Sequence, residues 1–231
     1  MSEYPAIIAA LPREIKPLVK GWQVHRLPGN VVAFTQGNAV VACAGMGADR
    51  ATLAVRAAMS LKPVTMLVSV GLAGACKPAL EAGNMVRAGV VVDARTGERT
   101  TAGEEFREIV VTTDSIASVA EKARLRAAYY ADAVDMEAAT VARLARGHGL
   151  KFRAFKAISD ASDFELEELG RFVTPDGQFR EAAFAAYAAL RPWLWSRLIR
   201  LARNSHAAVE SLTAAVGLEL DLYQERAKRQ A

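Results

Sequence analysis

Cysteine, histidine and aromatic residues are all scarce in this chain of 231 residues: two cysteines, three histidines and 7% aromatics. Cys43 and Cys76 sit in separate apolar stretches without CxxC spacing. That excludes a disulfide scaffold and a cysteine-based zinc site, and it suits a reducing compartment. His25, His148 and His206 are too scattered for a histidine metal cluster, so no metal is expected. Charge is thin as well. Charged residues make up 23% and the formal net charge is +4, too little to argue for a nucleic-acid partner. No long apolar run exists either. The least charged stretches, 30–48 and 63–76, are broken by glycines, and the first also by Thr35, Gln36 and Asn38, which reads as strands and turns rather than a membrane span. The N-terminus lacks a basic segment followed by an apolar run, so a cytoplasmic location is the expectation. What the chain has in quantity is aliphatic material. An apolar fraction of 52% can fill the core of one large domain and excludes intrinsic disorder.

Short β-branched runs predict strands over 6–11, 31–35, 39–44, 66–70, 85–92, 109–112 and 152–158. Helical periodicity is predicted over 49–60, 118–130 and 136–147, then 178–190 and 192–216, with Pro192 as a first-turn proline. The alternation of strand and helix through residue 158 predicts a three-layer α/β fold with a mixed, largely parallel central sheet. Residues 1–165 form the expected α/β core, and 166–231 a C-terminal helical extension packed on the same domain.

In open α/β sheets ligands bind at the carboxyl ends of strands, and the unusual residues of this chain fall there. Glu14 follows the first strand. Gly45-Met46-Gly47 and Gly71-Leu72-Ala73-Gly74 follow two others, and Met136-Glu137 and Ser159-Asp160 follow two more. Glu137 shares a helical stripe with Val141 and Leu144, where a carboxylate is costly unless paired or bound, although a first-turn glutamate is also favoured by the helix dipole. Asp160 reads equally as a helix cap, and Glu14 as a first-turn acid. The first glycine loop fails the dinucleotide fingerprint because Arg50 stands where a third glycine is needed, and no Walker A lysine motif occurs. Strand-end glycines such as Gly47 and Gly71 are nevertheless expected to leave backbone amides free for an anion or a sugar oxygen.

The ordered series Ala9-Ala10-Leu11-Pro12-Arg13-Glu14-Ile15, Ala44-Gly45-Met46-Gly47, Val70-Gly71-Leu72-Ala73-Gly74, Ala133-Val134-Asp135-Met136-Glu137-Ala138 and Lys156-Ala157-Ile158-Ser159-Asp160 resembles the nucleoside phosphorylase and nucleosidase superfamily. It looks most like the methylthioadenosine/S-adenosylhomocysteine nucleosidase branch. Val134 to Glu137, Glu121 to Leu125, Thr174-Pro175-Asp176-Gly177 and the tail from Arg191-Pro192-Trp193 resemble, more narrowly, the hopanoid-associated phosphorylases, which implies adenosylhopane as substrate.

That resemblance implies a phosphorylase/hydrolase-type fold and cleavage of the N-glycosidic bond of a purine nucleoside, a 5′-substituted adenosine. It makes Asp160 the general acid at the purine, Glu14 the acid that activates water, and Glu137 the grip on the ribose hydroxyls. Met136 is expected beneath the sugar, Ser159 beside the base, and Gly47, Gly71 and Leu72 around the substrate. Leu72 departs from the pattern, since the nucleosidase branch has serine there. The segment between Val92 and Ile109 is short, so the family's adenine-pocket loop is not matched residue by residue and the pocket residues between 93 and 120 are left unassigned. No cofactor is implied; phosphate would be the co-substrate of the phosphorolytic alternative, and a non-catalytic nucleoside-binding module is the alternative of another class. A small-molecule nucleoside is the expected partner, with a homo-oligomer as the default by resemblance. A basic C-terminal helix carrying Trp193, Arg197, Arg200 and Arg203 suggests peripheral contact with the inner membrane.

Overall fold

Strand β1 (Pro5–Ala9) is buried along its whole length, and its alternation assigns its residues to two separate cores. Ala6 and Ile8 pack towards one helical layer, Ile7 and Ala9 towards the other. The remaining elements, in a computed structural model that describes residues 4–165, 167–174 and 177–229, follow this division. They are α1 (Pro12–Ile15), β2 (Gln23–Leu27), β3 (Val31–Gln36), β4 (Ala39–Cys43), α2 (Ala48–Leu61), β5 (Met66–Ala75), β6 (Met85–Asp93) and β7 (Arg99–Thr101). Then come β8 (Glu108–Thr112), α3 (Val119–Tyr129), β9 (Ala133–Asp135), α4 (Ala138–Gly147), β10 (Lys151–Asp160), α5 (Glu181–Ala189) and α6 (Trp195–Arg229). Pro175 and Asp176 of the Thr-Pro-Asp-Gly motif lie outside the described residues.

The central sheet is mixed. Parallel pairings join β4, β1, β5 and β10 in its middle, while β2 and β3 add an antiparallel edge. Because β5 and β10 each run for ten residues, they outlast their neighbours and let the sheet roll up. β10 pairs with β6, β6 with β8, β8 with β9, and β9 returns to β5. The outer layers are helical. Ala51, Ala54 and Val55 of α2 and Val141 and Ala145 of α4 cover one face. Ala208, Leu212, Val216 and Leu220 of α6 cover the other, with Ile15 and Val19. Spacings of four keep these α6 residues on one stripe, and each fully buried leucine contributes roughly 1.5–3 kcal/mol.

Several predicted boundaries are corrected. No loop follows residue 70, because pairing with β10 and β9 carries β5 through Gly71 and Gly74 to Ala75. Pairing with β5 likewise carries β10 through Ser159 to Asp160. Helix α4 begins at Ala138, so Glu137 is its cap residue rather than part of its buried stripe. The C-terminal helix is 35 residues long, and it docks from Ala208 onward rather than from Leu194. Strands β2 and β7 were not expected; both are short, and polar residues dominate them.

Candidate active site

The carboxyl ends of β1, β5 and β10, with the turn after β9, enclose a cavity of about 530 Å³. Glu14, Leu72, Met136, Glu137, Ser159 and Asp160 all line it. Gly47 and Gly71 do not. Their expected role as free amide donors is corrected: the Gly47 N–H already donates to Glu137 Oε1 at 2.7 Å. Gly71 serves by lacking a side chain. At φ 151° it is strained for other residues, and a Cβ there would sit 3.3 Å from Glu14 Oε2 and 3.8 Å from Lys156 Nζ.

Glu137 owes its position to two neighbours that satisfy the start of α4 in its place. Asp135 Oδ2 accepts from the Ala138 N–H and Thr112 Oγ1 from the Ala139 N–H. Two of the orphan amides of that helix are thereby filled, and the Glu137 side chain is free to reach the start of α2 at Gly47. Burial and the neighbouring Asp135 push the Glu137 carboxyl up to about 7, against Lys156 and the Gly47 amide. Glu14, in the single turn of α1, accepts from the Leu11 N–H at 3.3 Å. Burial raises its carboxyl above the ordinary value, opposed by the Leu11 amide, Lys156 and Arg13.

Lys156 stands among these acids. Its Nζ lies 2.7 Å from Asp135 Oδ2, and it has no exposed surface. Burial works against its charge, but Asp135, Glu137 and Glu14 outweigh that and hold the ammonium above its ordinary value. Sequence reasoning missed it, although a lysine inside the otherwise apolar run 154–158 was a visible signal.

Asp160 has a different setting. Ser159 Oγ donates to its Oδ1 at 2.6 Å, and Lys122 Nζ from α3 lies 2.5 Å from its Oδ2. Lys122 is buried, lines the cavity and was not anticipated. The segment left unmatched in the sequence contributes Thr113, Ser115, Ile116 and Ala117 to the wall. The far side of the cavity is closed by Phe179, Phe184, Leu198, Leu201 and Val209, so this part of α6 covers the cavity instead of the sheet. Arg13 lines the cavity and stacks on Phe179, with its guanidinium carbon 5.7 Å from the ring centre. Arg50 is directed away, donating to the Ala44 and Gly29 carbonyls. Among the described residues, no cluster of His, Cys, Asp and Glu could hold a metal ion.

The family model of the phosphorylase superfamily matches residues 103–190. Among solved structures, Helicobacter pylori 5′-methylthioadenosine/S-adenosyl homocysteine nucleosidase is similar with a TM-score of 0.65 at 18% identity, over 93% of this chain and 97% of that one. Futalosine hydrolase of the same organism is similar with a TM-score of 0.60 at 20% identity, over 69% and 88%. The Campylobacter jejuni nucleosidase gives 0.60 at 21%, over 72% and 89%. No curated protein matches the chain. The fold is therefore that of the nucleoside phosphorylases and nucleosidases, as the order of motifs implied.

Proposed function

We propose that this chain cleaves the N-glycosidic bond of a 5′-substituted adenosine, with water as the nucleophile. The observation that carries this reading is the convergence of Glu14, Glu137 and Asp160 from three separate strand ends on one cavity. Breaking an N-ribosidic bond builds positive charge on the sugar and negative charge on the purine. An acid at the base, Asp160, relieves the second, and carboxylates around the sugar stabilise the first. Glu137 binds the ribose hydroxyls with Met136 beneath the ring, and Glu14 orients water on the face opposite the base, as the second carboxylate does in inverting glycosidases.

The same cluster disfavours phosphate. A dianion placed beside Glu14 would meet Asp135 and Glu137 as well, with Lys156 as their common counter-ion. Each unit charge some 4 Å away costs about 1–4 kcal/mol at effective dielectrics of 80 to 20. Arg50, one of two arginines that could reverse this field, is engaged elsewhere. Arg13 is the other, and it is the residue on which the phosphorolytic alternative rests.

The apolar wall of Phe179, Phe184, Leu198, Leu201 and Val209 supports a large apolar group at the 5′ carbon, of which adenosylhopane is the example the narrower resemblance suggests. Adenine release from adenosine and from 5′-alkylthio-adenosines of increasing chain length tests the reading. The expected kcat/KM rises by about two- to fourfold per methylene until the cavity is filled. Release from none of them, with tight binding, would leave a nucleoside-binding module; a preference for charged 5′ groups would remove the apolar substrate.

A lipid surface is the proposed source of such a substrate. Among the described residues no helix is long and apolar enough to cross a membrane. Yet Leu190, Trp193, Trp195 and Ile199 are exposed where α6 begins, with Arg203 exposed one turn further along. Tryptophans beside arginines suit an anionic interface. Co-sedimentation with anionic vesicles, weakened by Trp193→Ala and by Arg203→Glu, is the expected result. No binding at low salt would remove the idea.

A further inference from the structure

The base end of the cavity holds a group that the proposed chemistry has not yet used. Lys122 is 1% exposed, projects from α3 and places its Nζ 2.5 Å from Asp160 Oδ2. The same nitrogen donates to the Ala161 carbonyl at 2.9 Å and the Phe164 carbonyl at 3.1 Å. The pair closes against Gly74, where a Cβ would stand 2.9 Å from Asp160 Oδ2 and 3.0 Å from Lys122 Cε. Three acceptors thus surround an ammonium that has three N–H bonds, each with one partner.

We infer that Lys122 stores the proton that the departing purine takes, and delivers it through Asp160; this rests on the reaction proposed above. The geometry suits a proton that leaves and returns. When the C1′–N9 bond breaks, its electron pair passes to the purine, while the Asp160 carboxylate takes a proton from Lys122 Nζ and hands it on to the purine, ending as the carboxylate it began as. The resulting neutral amine keeps two N–H bonds, enough for the Ala161 and Phe164 carbonyls, until it regains its proton. Nothing has to move. Water supplies hydroxide to C1′ and a proton to Glu14, and exchange with solvent restores both ends, so the sum is nucleoside plus water giving ribose and base. Lys122 is therefore a positioning residue that acts on the base through Asp160.

A merely structural lysine, one that pins the 161–164 turn, makes a different prediction. The experiment compares two leaving groups on the same ribose: adenine, which needs a proton, and p-nitrophenolate, which does not. Lys122→Arg keeps a cation and donors for both carbonyls but cannot give up a proton. Lys122→Met removes the cation altogether. Circular dichroism checks each fold, and Lys122→Arg alone carries the test if the methionine variant does not fold. Adenine release is expected to fall about 100-fold or more in Lys122→Arg, with p-nitrophenyl riboside cleavage falling far less. Asp160→Asn should show the same split. An arginine variant that releases adenine at the parental rate, or that loses both substrates equally, would overturn the inference. A parent chain that cleaves no purine nucleoside would instead overturn the proposed function, and this inference with it.

Discussion

Two buried lysines mark the two ends of the cavity, and they keep different company. Lys156 has Asp135, Glu137 and Glu14 around it, three carboxyls to one ammonium. Lys122 has Asp160 and two backbone carbonyls, one carboxyl to one ammonium. An excess of acid at the first end leaves negative potential where a sugar cation would form; burial raises both carboxyls there, and Asp135 adds to it at Glu137, whereas Lys156 and Arg13 work against it at Glu14. Balance at the second end holds a proton without excess charge. Similar side chains thus create a field in one place and a proton reservoir in the other, and the difference is the ratio of acids to lysine.

Removing the reservoir's outlet should have the largest effect. Asp160→Asn keeps an acceptor for Ser159 but presents an amide to the base, so adenine release is expected to fall by about 100- to 10,000-fold with the circular dichroism unchanged. Near-parental turnover by a folded variant would take Asp160 out of the chemistry. At the other end, Glu14→Gln should cost on the order of 100-fold in kcat, measured at saturating substrate, because water loses its base.

Glu137→Gln separates binding from stability. Its amide oxygen can still accept from Gly47, but ribose recognition weakens, raising KM by roughly 10-fold and narrowing the discrimination against 2′-deoxy substrates. Stability should move the other way. The Glu137 carboxyl titrates at about 7 in the folded chain against an ordinary 4.5. The folded state binds that proton more tightly between those values, so stability is lost as pH rises through that window. Glutamine removes the penalty, which is on the order of 1–3 kcal/mol because the cavity lets solvent reach the group. Denaturant melts should show the variant more stable than the parent at pH 8 and nearly equal at pH 4. The parent being the more stable at pH 8 would contradict the acid-excess account. The smallest effect is expected from Gly74→Ala, whose methyl crowds Asp160 and Lys122 and should lower turnover by about 10-fold without changing KM.

Much of this site could be read from residue order, because acids and glycines at the ends of apolar runs are local features. The places of Glu14, Glu137 and Asp160 on one rim were legible for that reason, whereas the roles expected of them came only from the resemblance. The lysines were not. Lys122 has the charged, partly exposed Glu121, Arg124 and Arg126 as neighbours on its helix, so it resembled a solvated position, and its partner is 38 residues away in sequence. Gly71 and Gly74 looked like a loop because glycine ends most strands; only pairing with β10 and β9 keeps β5 extended through them. Leu198, Leu201 and Leu212 of α6 share one helical stripe, and sequence alone does not tell that the sheet ends under part of it. Hence Leu212 packs in the core while Leu198 and Leu201 wall the cavity.

The identity of the nucleophile tests the three-acid arrangement most directly. The chain is incubated with a 5′-alkylthio-adenosine in ¹⁸O-enriched water, with and without phosphate, and the sugar product is weighed by mass spectrometry. The expected product is a free ribose derivative carrying one ¹⁸O at C1′, formed at the same rate in both reactions. A ribose 1-phosphate derivative, formed only when phosphate is present, would contradict it.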